Sequence, residues 1–97
     1  MTTYQEIAEW MMVQLEESDE GELRQQETAY AIQRDFGAEF VYRDAYGNLA
    51  IDRKILYRFK KLSLETVVWV AVQGDWLAGY WRLRVKDDKS GRLQYHW

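Results

Sequence analysis

The chain has 97 residues and a formal net charge of −3, and this length suits one hydrophobic core better than two. It contains no cysteine, which excludes disulfides, thiolate metal sites and cysteine nucleophiles and fits a reducing compartment. Its N-terminal segment carries glutamates where a signal peptide needs basic residues, and the longest apolar stretch, 67–72, is too short to cross a bilayer. We therefore expect one soluble, cytoplasmic domain over residues 1–97, without a membrane partner.

The charges are divided unevenly along the chain. Residues 1–51 hold eleven acids and three bases, whereas residues 52–97 hold five acids and ten bases. Such a division is typical of two solvated faces of opposite sign, and it is also what a surface for an anionic partner requires. The sequence alone leaves both interpretations open.

The first predicted element is a helix that begins with a capping box, Thr3 to Glu6, and ends near Ser18. Its apolar residues recur at three- and four-residue spacing and form one stripe: Tyr4, Ile7, Ala8, Met11 and Leu15. The acidic segment 16–22 follows this helix. It lacks the alternating spacing of an EF-hand loop, so we interpret it as a solvated bend and not as a cation site.

A second helix is predicted from about Gln25 to Phe36, with Leu23 packing just ahead of it and Gly37 as the glycine that ends it. Next, segments 39–43 and 48–51 flank a loop whose glycine suits positive φ, which predicts a short hairpin.

Asp52 is a good N-cap for a third helix, because its carboxylate can accept from the N–H groups of the first turn. Helical periodicity puts Ile55, Leu56, Phe59 and Leu62 on one arc, which we expect to be buried. The opposite arc is basic. It contains Arg53, Lys54, Tyr57, Lys60 and Lys61, with Arg58 at its flank.

Two strands are predicted after this helix. Residues 66–72 are β-branched or aromatic on both faces, and residues 80–85 alternate, with Trp81 on the core side and Arg82 on the outer side. Trp76 and Leu77 lie in the loop that joins them. Residues 86–97 read as a turn and a weakly ordered tail.

The predicted order of helix, helix, short hairpin, helix and long hairpin gives the α+β class and is winged-helix-like. The pattern FGAEFVYRDAYGNLAIDRKIL, then VVW, then WRLR with a downstream Asp and Gly-Arg, resembles a family of small bacterial proteins of unknown function. Similar proteins occur as mobile-element cargo, integron gene cassettes among them. The resemblance covers most of the chain. Its motifs are structural, so it implies a fold and assigns no chemistry, and the loop before Trp81 is longer than the family pattern implies.

Residues suited to catalysis are scarce. The one histidine, His96, stands near the C-terminus, and we find no nucleophile elbow, no phosphate-binding loop, no dinucleotide fingerprint and no zinc spacing. Asp87 and Asp88 are adjacent, so in an extended segment they would point apart. We expect a protein that is not an enzyme and that takes no metal or cofactor.

The sequence favours a protein-interaction or self-associating module. Five tryptophans and seven tyrosines exceed what one small core usually needs, and aromatic residues dominate interface hot spots. Trp76, Leu77 and Tyr80 are the candidate partner-binding residues. The second apolar face of strand 66–72 also needs cover, which a homodimer would supply; the third helix or the tail could equally fold over it.

Nucleic-acid binding through the third helix and the wing hairpin is the alternative. A winged-helix domain commonly presents these elements to the duplex, where arginine reads guanine edges and lysine neutralises phosphate. The acidic first half argues against it, because it weakens long-range attraction to DNA. The candidate residues are Arg53, Lys54, Tyr57, Arg58, Lys61, Arg82 and Arg84.

Overall fold

The computed structural model describes residues 1–72 and 79–83. These residues form an α+β fold in which a short 3-10 turn, Ala38–Phe40, precedes the second strand. The helices are α1 (Tyr4–Glu17), α2 (Gln25–Phe36) and α3 (Arg53–Ser63). The strands are β1 (Glu22–Arg24), β2 (Val41–Arg43), β3 (Leu49–Ile51), β4 (Val67–Val70) and β5 (Tyr80–Leu83).

Helix α1 begins and ends where its capping residues predict. The Thr3 hydroxyl accepts a hydrogen bond from the Glu6 backbone N–H at 3.1 Å and donates to the Glu6 carboxylate at 3.3 Å. Ser18 ends the helix, and its N–H donates to the Leu15 carbonyl. The predicted apolar stripe is confirmed, since Ile7, Ala8, Met11 and Leu15 are fully buried and Tyr4 packs against them.

Helix α2 and the following hairpin also match the sequence-based prediction. Gly37 ends the helix with a φ of 120°, a backbone region that residues with a Cβ rarely adopt. Strands β2 and β3 then pair antiparallel around a tight turn. Within this turn the Asp44 carboxylate accepts from the backbone N–H groups of Tyr46 and Asn48, at 2.8 and 2.9 Å.

Asp52 caps α3 as predicted, because its carboxylate accepts from the Lys54 backbone N–H at 2.8 Å. The predicted buried arc needs one correction at its C-terminal end. Ser63 is fully buried, whereas Leu62 is 40% exposed. The Ser63 hydroxyl donates to the Phe59 carbonyl at 2.7 Å, so its burial leaves no polar group unsatisfied.

The larger sheet has the strand order β1-β5-β4, with both neighbouring pairs antiparallel. Strand β1 was not predicted from the sequence; it aligns Leu23 with Trp81, which in turn faces Trp69 on β4. Val67 and Val68 point to opposite faces of β4, and both are buried. The prediction that this strand is apolar on both faces is therefore confirmed at its start.

The core lies between the helices and the inner face of this sheet. Trp81 is fully buried, with its ring centre 5.2 Å from that of Phe59 on α3 and 5.1 Å from that of Trp69. Phe36 and Trp69 are partly buried and pack against this cluster. Truncating Trp81 to alanine would cost about 3–5 kcal/mol, as is usual for a large buried aromatic side chain.

Two sequence-based predictions fall outside this description. Trp76 and Leu77, which were predicted to lie in a loop, lie outside the described residues, and so do Arg84 and the predicted tail 86–97. Within residues 1–72 and 79–83, no helix has both the length and the apolar character needed to cross a membrane.

Candidate nucleic-acid interface

The exposed face of α3 carries a concentration of positive charge. Arg53, Lys54, Arg58 and Lys61 are exposed, and Lys60 is half-buried. The helix contains no acidic residue. This face exists because Ile55, Phe59 and Ser63 are buried on the other side, so helical spacing turns the charged side chains outward.

Tyr57 lies in the middle of this face and is 59% exposed. The Lys61 ammonium lies 4.6 Å from the centre of its ring. Hydrogen bonding with Lys61 lowers the pKa of the Tyr57 phenol, and the charges of Lys61, Arg58 and Lys60 lower it further. Both the hydrogen bond and the nearby positive charges stabilise the anionic form of the phenol.

The N-terminal turns of α1 border the face on one side. The Lys54 ammonium lies 5.2 Å from the centre of the Tyr4 ring, and Arg58 donates to the Gln5 side-chain oxygen at 3.3 Å. Gln5 in turn donates to the Glu9 carboxylate at 3.0 Å. The Gln5 side chain therefore links Glu9 to Arg58 at this edge of the basic face.

The four exposed basic residues of this face have no direct ion pair within the part of the chain that the structure describes. There, the carboxylates form no ion pair with Arg53, Lys54, Arg58 or Lys61. An ion pair joins Arg34 and Asp35 on α2, at 2.9 Å. The hydrogen bond from Arg34 lowers the pKa of Asp35.

The structure does not bring Arg82 into this face. Neighbouring residues on a strand point to opposite sides, so Arg82 lies on the sheet face opposite to Trp81, whose ring packs on Phe59 of α3. In the strand register Arg82 is aligned with Glu22, an acid, and with Val68. The predicted basic set is therefore divided between α3 and the outer face of the sheet, with Arg84 outside the described residues.

Of the three predicted partner-binding residues, the described part of the chain includes Tyr80. It is half-buried on the outer face of the sheet, and the Arg24 guanidinium lies 5.4 Å from its ring centre. On the same face Val68 is only 3% exposed. Trp76 and Leu77, on which the interaction hypothesis mainly depends, lie outside the described residues.

A groove of about 600 Å³ runs beside α3, between this helix, the β2–β3 hairpin and β4. No local sequence pattern indicates this groove, because its lining comes from separate elements: Tyr42 on β2, Ile51 on β3, Leu56 and Tyr57 on α3, and Trp69 on β4. Arg53 and Lys60 also line it. Among residues 1–72 and 79–83, no cluster of three or more His, Cys, Asp or Glu side chains could hold a metal ion.

The fold and this surface define a small α+β domain with a three-helix core, antiparallel sheets and an exposed basic helix. The chain belongs to a protein family of unknown function, DUF6953, whose sequence model matches residues 3–78. The match runs from the N-cap of α1 past the end of β4 and confirms that the chain falls in a family without an assigned activity. No curated protein and no solved structure matches it.

Proposed function

We propose that the chain is a non-enzymatic winged-helix module that binds nucleic acid through the exposed face of α3. The order of its elements supports the fold assignment. In a winged helix the strand between the first two helices joins the C-terminal hairpin, which gives the sheet order found here, β1-β5-β4. The β2–β3 hairpin between α2 and α3 is an addition to that plan.

The composition of α3 is the observation that carries the functional proposal. Five of its eleven residues are basic and none is acidic. In helix-turn-helix proteins the corresponding recognition helix enters the major groove, where arginine reaches guanine and lysine contacts phosphate. Tyr57 lies at the centre of this surface, where hydrogen bonding with Lys61 and the charges of Lys61, Arg58 and Lys60 lower the pKa of its phenol.

The negative net charge is compatible with this proposal because the charges are separated along the chain. Attraction beyond about 10 Å is screened at ordinary salt, so the charges nearest to the duplex dominate binding. Those charges are the basic residues of α3. We therefore expect weak, strongly salt-dependent binding, in which phosphate contacts contribute most of the affinity.

The direct test reverses the charge of the face. Arg53→Glu combined with Lys61→Glu should abolish binding to a short fluorescent duplex at low salt, measured by fluorescence anisotropy. Arg34→Glu is the control of the same kind, since Arg34 is an exposed arginine on α2. Absence of binding by the unmodified protein at low salt, or equal loss in the control, would overturn the proposal.

Protein interaction is a second candidate, favoured by the position of β4. This strand is at the edge of the described sheet, all four of its residues are apolar, and the chain continues into Val72, which is 38% exposed. An apolar edge strand can pair with a strand of another chain. We propose a second copy of this chain as the partner, and we expect Trp76 and Leu77, which follow the strand in the sequence, to take part in the contact.

The cellular setting stays a prediction. The family resemblance implies a small bacterial protein carried by mobile elements, and the absence of cysteine favours the cytoplasm.

A further inference from the structure

The groove beside α3 combines three aromatic side chains with positive charge. Tyr42, Tyr57 and Trp69 line it from β2, α3 and β4, and Leu56 and Ile51 add aliphatic surface. Arg53 stands among the lining residues at the start of α3 and is exposed. A groove of about 600 Å³ is within the range that holds small planar ligands.

This combination suits a planar aromatic group attached to an anion. Bases without a stacking partner bind proteins by stacking on aromatic rings, while arginine and lysine hold the neighbouring phosphate. Asp44 is the acid among the lining residues, and one of its oxygens accepts two backbone N–H groups of the hairpin turn. Its charge favours placement of the phosphate at Arg53 and not toward the hairpin.

We propose that this groove binds one unstacked nucleotide, with its base against Tyr42, Tyr57 and Trp69 and its phosphate at Arg53. The inference rests on the proposed nucleic-acid function and gives it a substrate class: duplexes with an unpaired end or gap. Arg53 and Tyr57 belong to both the groove and the exposed face of α3. A strand that leaves a duplex held on α3 would therefore meet the groove directly.

The test compares a blunt duplex with the same duplex carrying a short single-stranded overhang, by fluorescence anisotropy at low salt. The overhang should tighten binding at least about fivefold, the lower end of the contribution of one stacked base. Tyr42→Ala should remove this gain and leave blunt-duplex binding unchanged, whereas Tyr42→Phe should keep the gain. Tyr46→Ala is the matched control, because Tyr46 is an exposed tyrosine at the tip of the same hairpin.

The outcomes separate this inference from the proposed function. Equal binding of the two duplexes, or a gain that survives Tyr42→Ala, would overturn the groove proposal and leave the α3 proposal standing. If neither duplex binds, the α3 proposal fails. The groove proposal is then tested separately by adding adenosine monophosphate to the protein. Ring-proton shifts of Tyr42 and Trp69 on its addition, lost in the Arg53→Ala variant, would then support the groove as a site for free nucleotides. Absence of such shifts would overturn it.

Discussion

Tyr57 and Lys61 lie one helical turn apart on α3, and their interaction can be measured by titration. Hydrogen bonding with Lys61 is the largest cause of the lowered pKa of Tyr57. Replacing Lys61 with methionine should therefore raise the pKa of Tyr57 toward its ordinary value of about 10. NMR titration of tyrosine ring carbons would resolve this change. The Lys54→Met control should move it much less, and an unchanged value in Lys61→Met would contradict the described contact.

Asp52 at the start of α3 gives a second prediction, about stability. Its carboxylate accepts a hydrogen bond from the Lys54 backbone N–H and lies at the N-terminal, positive end of the helix dipole. Asp52→Ala should lower the free energy of unfolding by about 1 kcal/mol, while Asp52→Asn, which keeps a capping oxygen, should lower it by less. Urea denaturation would measure both variants. Equal losses would show that the side-chain oxygen does not act as the cap.

At the scale of single residues, the sequence predicts the structure where chemistry local in the chain decides the outcome. Caps at Thr3, Asp52 and Gly37 were found because the groups that satisfy a helix end are close in sequence. The burial of Ser63 in place of the predicted Leu62 has a related cause. A hydrophobicity pattern counts serine as polar, yet its hydroxyl can bond to the carbonyl one turn earlier and become buried.

At the scale of elements, β1 shows what a sequence pattern cannot detect. It has only three residues, Glu22–Arg24, and it is a strand because β5 pairs with it from far along the chain. Residues 22–24 alone show no alternation long enough to indicate a strand. The longer helices and the local β2–β3 hairpin were predictable, since their own periodicity or turn chemistry specifies them.

The apolar edge at β4 leads to a third prediction. If two copies pair along this edge, sedimentation at micromolar concentration should show a dimer, and Val72→Lys should weaken it by placing a charge next to the pairing strand. Trp76→Ala or Leu77→Asp should act in the same direction. Val13→Lys is the control, because Val13 is an exposed valine on α1. A monomer throughout that concentration range would exclude self-association.

At the scale of the whole molecule, the fold decides which charges act together. The basic arc of α3 was predictable from helical spacing alone, but the separation of Arg82 from it was not. That separation depends on which face of β5 packs on the core, and the core combines residues as far apart in the sequence as Ile7 and Trp81. The groove was unpredictable for the same reason, since Tyr42, Tyr57 and Trp69 come from three separate elements that only the tertiary structure brings together.

The salt dependence of duplex binding tests the central proposal most directly. The logarithm of the binding constant should fall linearly with the logarithm of salt concentration, with a slope of about −0.9 for each phosphate contacted. Lys61→Ala should make that slope shallower by about 1 unit, because one phosphate contact is lost. Arg34→Ala, which removes one positive charge from α2, should leave it unchanged. A salt-independent affinity, or equal slopes for all three proteins, would contradict nucleic-acid binding through α3.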